Sequence, residues 1–270
     1  DPLTVVQTAT VNAARYFGLN NKGVISPGYL ADFVVMDDLT DFKVRMVFKR
    51  GKVVYDEGEG VRAEAPEVFV EIAAPVHDTF HLPPIMADKL HKTGELPLIG
   101  MVDGQIITRN LGHAAGIDVS KDVLKLAVAE RHHDTGHVGV CYLQGYGLRA
   151  GAVATSIAHD SHNLIGIGTS DADIACAMMR VREMKGGMVV VQGGKVTAEL
   201  ALPVAGLMSD APLQAVNAGL EQAKSQAYAQ GVNQGVDPFM TLSFMSLPVI
   251  PSLRLTTYGA FDVEKWTLVE

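Results

Sequence analysis

The stretch Ala154–Gly168, ATSIAHDSHNLIGIG, decides how this chain is to be read. Apolar Ala152, Val153, Ala154, Ile157 and Ala158 lead into it and Leu164 to Ile167 lead out. Between them stand five consecutive polar side chains: His159, Asp160, Ser161, His162 and Asn163. Two short apolar runs separated by a polar turn predict two buried strands with a loop at their shared end, where sites in α/β proteins gather. Two imidazoles, a carboxylate, a hydroxyl and an amide supply the groups needed for proton transfer or metal ligation. Residues three apart on a strand point to opposite faces, so His159 and His162 converge only if the segment bends. The same five residues also fit a plain turn, with Asp160 and Asn163 in Asx-type bonds and the histidines satisfying local backbone groups.

The surroundings predict a mixed α/β (α+β) chain. Asp1 and Pro2 suit an N-cap and first helical position, the apolar spacing continues to Phe17, and Gly18 supplies a stop. A helix complete from the first residue leads us to expect the later part of a longer polypeptide. Residues 31–36 and 44–49 predict strands, with a hairpin turning on Arg50-Gly51 and returning through Val53 to Tyr55. The acidic, Gly-rich DEGEGVRAEAPE reads as a linker. Beyond it we expect a hairpin on Asp103-Gly104, a helix from Val123 to Arg131 and buried strands over HVGVCYLQGYG and GAVATSIA. A helix from Asp171 to Lys185 capped by Ser170 or Asp171, a hairpin on Gly193-Gly194 and a long helix from Asp210 to Gln230 follow. The Pro-interrupted tail predicts a helix turn and edge strands.

Bulk properties exclude several function classes. The chain has 270 residues, nearly half hydrophobic, and a formal net charge of −8, which disfavours a nucleic-acid partner. No apolar run approaches the roughly 18 residues that span a bilayer, so a soluble, cytoplasmic protein is expected. Cys141 and Cys176 lack metal-type spacing and read as buried free thiols. The cluster RHHDTGHVG, with His132, His133, Asp134 and His137, fits a metal-ligand list but equally a solvated helix exit, which we favour. GYGLRAG lacks the strand and helix context of a phosphate loop, and Arg149, starting the strand before the polar loop, is placed to reach toward it. His77, Asp78 and His81 read as part of a Pro-rich crossing, and His91 and His113 as structural. Met178, Met179, Met184, Met188, Met208, Met240 and Met245 read as core fillers. No serine-nucleophile motif, P-loop or HExxH occurs.

Two stretches carry a resemblance. Gly23, Ile25, Gly28, Ala31, Asp32, Val34 and Val35 follow the G-x-I-x-x-G-x-x-A-D-x-V-V pattern that closes amidohydrolase-superfamily chains, where the last barrel helix hands over to a small β-sandwich. GLRAGAVATSIAHDSHNLIGIGTSDADIACAM, GGMVVVQGGKV and LSFMSLPVIPSLRLTTYGAFDV are similar to the C-terminal domain of bacterial and archaeal adenine deaminases. The resemblance implies residues 1–18 as the last helix of a (β/α)8 barrel, 19–60 as part of the sandwich, and 61–270 as the deaminase C-terminal α/β domain. It also implies hydrolysis of adenine to hypoxanthine and ammonia by a metal-activated water in purine salvage, in a homo-oligomer. The divalent metal, manganese or iron with zinc possible, is then bound mainly by a barrel lying outside this chain. On that basis His159, Asp160 and His162 are the candidate catalytic residues and Ser161, Asn163 and Arg149 the candidate substrate contacts. The alternative is a non-catalytic lid or oligomerisation module, inactive without the barrel.

Overall fold

Turn chemistry and apolar pattern account for most of the elements. The computed structural model describes residues 1–61 and 72–269, and the chain divides into two compact units, Asp1–Glu71 and Ile72–Glu270. In the first, helices α1 (Pro2–Gln7) and α2 (Ala13–Tyr16) flank a π-helical stretch, Thr8–Asn12. Asp1 caps α1 by accepting from the Leu3 N–H, and Gly18 leaves the helix with φ +66°. Strands β1 (Phe33–Met36), β2 (Val44–Lys49), β3 (Lys52–Asp56) and β4 (Gly60–Val61) form an antiparallel sheet in that order. Arg50 and Gly51 both adopt positive φ, the signature of a type I′ hairpin turn. Asp32 holds this unit's loops: Lys22, Lys49 and the Arg50 N–H all donate to its carboxylate, which lies far below the usual carboxylate range, chiefly through Lys49. The expected linker falls partly on residues 62–71, outside the described residues.

The second unit is built on an eight-stranded sheet. After the short helix α3 (Ala87–Leu90) its strands are β5 (Leu96–Met101), β6 (Thr108–Ala114), β7 (Val123–Ala129), β8 (Val138–Gln144), β9 (Ala152–Thr155) and β10 (Leu164–Gly168). Helix α4 (Asp171–Glu183) and the hairpin β11 (Gly187–Gln192) and β12 (Lys195–Ala201) follow. Then come α5 (Leu213–Ala229), α6 (Pro238–Phe244) and a small sheet of β13 (Leu253–Thr256), β14 (Gly259–Asp262) and β15 (Thr267–Leu268). The large sheet runs β12-β11-β9-β10-β7-β8-β5-β6, with β5 and β8 parallel and the other neighbours antiparallel. Alternation sorts the central strands: Ala152, Ala154, Val189 and Val191 pack with Ile174, Ala177, Met178 and Val181 of α4. Val153, Ile165, Ile167 and Val190 face Ala223 and Ala227 of α5, Phe239 and Leu242 of α6, and Leu253 and Leu255. Both faces are therefore covered, and each buried aliphatic contributes about 1.5–3 kcal/mol.

The mixed α/β class stands, with one element corrected. Residues expected to form a helix from Val123 to Arg131 are strand β7, paired on both sides, Leu126 to Cys141 and Leu126 to Ile167. A strand covered on both faces loses the two-residue alternation, and its apolar run then imitates a buried helix. Helix α5 begins at Leu213, after Pro212, and β6 at Thr108, past the apolar Ile106 and Ile107. Gly193 and Gly194 make the expected turn, both at positive φ. Met208 and Met240 are exposed where core positions were expected, and Cys176 is only partly buried, unlike Cys141. No helix among the described residues is long and apolar enough to cross a membrane.

Candidate functional site

The polar loop begins where β9 ends. Ser156, fully buried, donates its hydroxyl hydrogen to the Gly206 carbonyl at 2.6 Å and accepts from the Gly187 N–H at 2.8 Å. The His159 N–H donates to the Ser243 carbonyl of α6 at 2.9 Å, and the His159 ring rests against Phe244, centroids 4.9 Å apart. The chain then turns: the His162 N–H bonds back to the Ala158 carbonyl, and His162 takes φ +50°. This bend brings the His159 and His162 rings to 5.8 Å, edge to face, which an extended strand forbids. Asp160 and Ser161 are exposed, while His159, His162 and Asn163 are half-buried.

Two residues after β7 hold the loop by its backbone. His132 Nε2 donates to the Ser161 carbonyl at 2.7 Å, and Arg131 Nε donates to the next carbonyl, that of His162. Arg131, 1% exposed, also donates to the carbonyls of Thr79 at 3.0 Å and Ala205 at 3.1 Å, and its guanidinium lies 4.6 Å over the Phe80 ring. Burial pulls its pKa down to about 10, so it remains charged at neutral pH. The neighbouring Glu130 carboxylate accepts from the N–H groups of His132, His133 and Thr135 and from the Thr135 hydroxyl. Burial pushes its pKa up, but these hydrogen bonds outweigh that and hold it below the ordinary value. RHHDTGHVG is thus a strand exit that grips the polar loop, where a solvated helix exit was expected.

The electrostatics of the loop favour a neutral imidazole. Burial, then electrostatic coupling to His159 and to the Arg131 guanidinium, lower the pKa of His162, with His132 adding to the effect and Asp160 opposing it. His162 Nδ1 and Asn163 Oδ1 are buried without a hydrogen-bond partner among the described residues. Buried polar atoms are rarely left so.

Arg149 is placed elsewhere. It is exposed before the start of β9, the opposite end of that strand from the polar loop, and its N–H donates to the Gln230 carbonyl at 2.9 Å. It lines a cleft of ≈ 700 Å³ with Gln192, Tyr228 and Asn233. The expectation that it reaches the loop therefore does not hold: four strand residues alone put about 13 Å between the two ends. The glycines beside it answer to packing. A Cβ on Gly151, at φ +88°, would stand 2.0 Å from the Val191 carbonyl oxygen.

Among the described residues, no group of three or more His, Cys, Asp or Glu side chains is arranged to hold a metal ion. The loop does not fit a metal centre of its own. His81 bonds the Asp78 carbonyl and His91 lies 3.7 Å from Asp171, so these histidines are engaged locally. Sequence reasoning missed Arg131 and Ser156. The available signal was a Glu-Arg pair closing an apolar run, hidden by reading that run as a helix.

Comparison with known proteins bears on this geometry. The profile of the adenine deaminase C-terminal domain matches residues 104–267, and that of the amidohydrolase family matches residues 1–54. Adenine deaminase 2 of Carboxydothermus hydrogenoformans is 44% identical over 276 residues, covering 98% of this chain and 48% of that protein. The adenine deaminases of Dehalococcoides mccartyi and Nitratidesulfovibrio vulgaris are 40% and 43% identical, over 100% and 99% of this chain and 48% of each relative. The chain spans about half the length of the curated relatives it matches.

Proposed function

This chain belongs to the adenine deaminase C-terminal domain family, and on that premise we propose that it is the C-terminal part of an enzyme hydrolysing adenine to hypoxanthine and ammonia. The reaction forms a carbon–oxygen bond at the ring carbon bearing the amine and breaks the carbon–nitrogen bond, and the nitrogen must gain a proton to leave as ammonia. Residues 159–163 are the part of this chain that serves it. His159 and His162 supply imidazoles that carry a proton to the leaving nitrogen, and the Asp160 carboxylate favours the protonated form of His162. Ser161 and Asn163 read the purine edge, Ser161 through its exposed hydroxyl. Arg149, at the other end of β9, has no part in this arrangement. The divalent metal, manganese or iron with zinc possible, belongs to the amidohydrolase barrel outside this chain, and no step is assigned to it here. The enzyme is taken to be cytoplasmic, homo-oligomeric and part of purine salvage.

The observation that supports this reading is the grip on two consecutive carbonyls, Ser161 and His162, which fixes the loop by its backbone and leaves His162 Nδ1 and Asn163 Oδ1 without partners among the described residues. A loop needed only as a turn would satisfy those atoms itself. The test is adenine turnover by the barrel-containing enzyme. His159→Ala and His162→Ala are each expected to lower kcat by about 10²–10⁴-fold with metal content unchanged. Normal turnover in both variants ends the proposal.

A further inference from the structure

We infer that Arg131 is a positioning residue for deamination, clamping the His162 carbonyl so that the imidazoles of the 159–163 loop are held in one orientation. The inference rests on the reading of that loop given above. Arg131 joins three separate segments through their carbonyls: Thr79, His162 and Ala205. Space is reserved for it. Gly206 sits at φ +72°, and a Cβ there would come 2.9 Å from both Arg131 Nη1 and the Phe80 ring. The guanidinium is buried although the adjacent carboxylate, Glu130, is spent on backbone N–H groups. For stability alone, a well-packed apolar side chain usually does as well as a buried charge. The fork of Arg131 instead fixes the geometry of a carbonyl one bond from the His162 Cα. The charged or titratable groups acting on that ring are Arg131, His159, His132 and Asp160, and the first three disfavour its protonated form. Arg131 therefore also helps to keep His162 neutral and ready to accept a proton.

Two variants separate geometry from charge. Arg131→Lys keeps the charge and loses the fork; Arg131→Met loses both. In the barrel-containing enzyme each is expected to lower kcat at least about tenfold with KM changed less than about threefold, as misorientation of a catalytic group does. The acid limb of the kcat–pH profile should rise only in Arg131→Met. Ring-proton NMR of His162 in this chain gives an independent readout: the titration midpoint should move up toward 6.5 in Arg131→Met and stay in place in Arg131→Lys. The upward move is partial, because burial is the larger cause. Should Arg131→Met not fold, Arg131→Lys decides alone. Wild-type kcat in a folded Arg131→Lys enzyme overturns the inference, as does an unmoved His162 midpoint in folded Arg131→Met. If His159→Ala and His162→Ala keep full turnover, the reading of the loop has failed. If they lose it while Arg131→Lys does not, only the role of Arg131 has.

Discussion

Replacing Ser156 by Ala removes one oxygen atom and should cost as much as a core truncation. The Ser156 hydroxyl relays between the Gly187 N–H and the Gly206 carbonyl, at 2.8 and 2.6 Å, with no exposed surface. Alanine fits the space but answers neither group. Each orphaned buried partner costs about 1–2 kcal/mol when the site can partly relax, so a loss of about 2–4 kcal/mol is expected. For a unit of about 200 residues this lowers Tm by roughly 5–15 °C. Differential scanning calorimetry measures it, with Ser225→Ala on the exposed side of α5 as a control expected within about 0.5 kcal/mol. A second effect should accompany it. Gly206 follows Ala205, whose carbonyl is on Arg131, so the variant loosens one of the three segments the guanidinium joins. A fall in Tm no larger than that of the control would refute the argument, since the relay would then hold nothing.

Other expectations follow from packing and burial. A Cβ on Gly139 of β8 would lie 1.9 Å from the Thr256 carbonyl oxygen, so Gly139→Ala should destabilise by at least about 2 kcal/mol in urea titration. An unchanged midpoint would contradict the packing of β13 and β14 on β8. A thiol reagent should label only Cys176 in the native chain and both cysteines in guanidinium, because burial closes off Cys141 and pushes its thiol far up. Rapid native labelling of Cys141 would contradict its place in the core.

The parts of the fold legible in the sequence were those with local punctuation. Arg50-Gly51 and Gly193-Gly194 turn as their composition demands, and Ser170 caps α4 by accepting from the Asp173 N–H. The polar interruption at 159–163 was visible for the same reason, as a break between apolar runs. What the sequence hid depends on contacts distant along the chain. VLKLAVAERHH carries no sign that its apolar part lies mid-sheet, so its end was taken for a helix exit and Arg131 was passed over. The partners of Arg131 at Thr79, His162 and Ala205 are backbone carbonyls, which have no residue signature. Arg149 was misjudged by direction: it neighbours the loop in sequence, but β9 carries the chain away from it.

The large sheet stops at β12 on one side and β6 on the other, and neither margin invites extension. β12 exposes Lys195 and Glu199, the latter held by Arg180 of α4, and its pairing with β11 is interrupted by an irregularity between Val190 and Val191. β6 exposes Arg109 and His113 beside a similar irregularity in its pairing with β5. Charge and local distortion at a margin oppose strand addition from a neighbouring molecule. Neutralising Lys195 and Glu199 together would remove the charges that guard the β12 margin against strand addition.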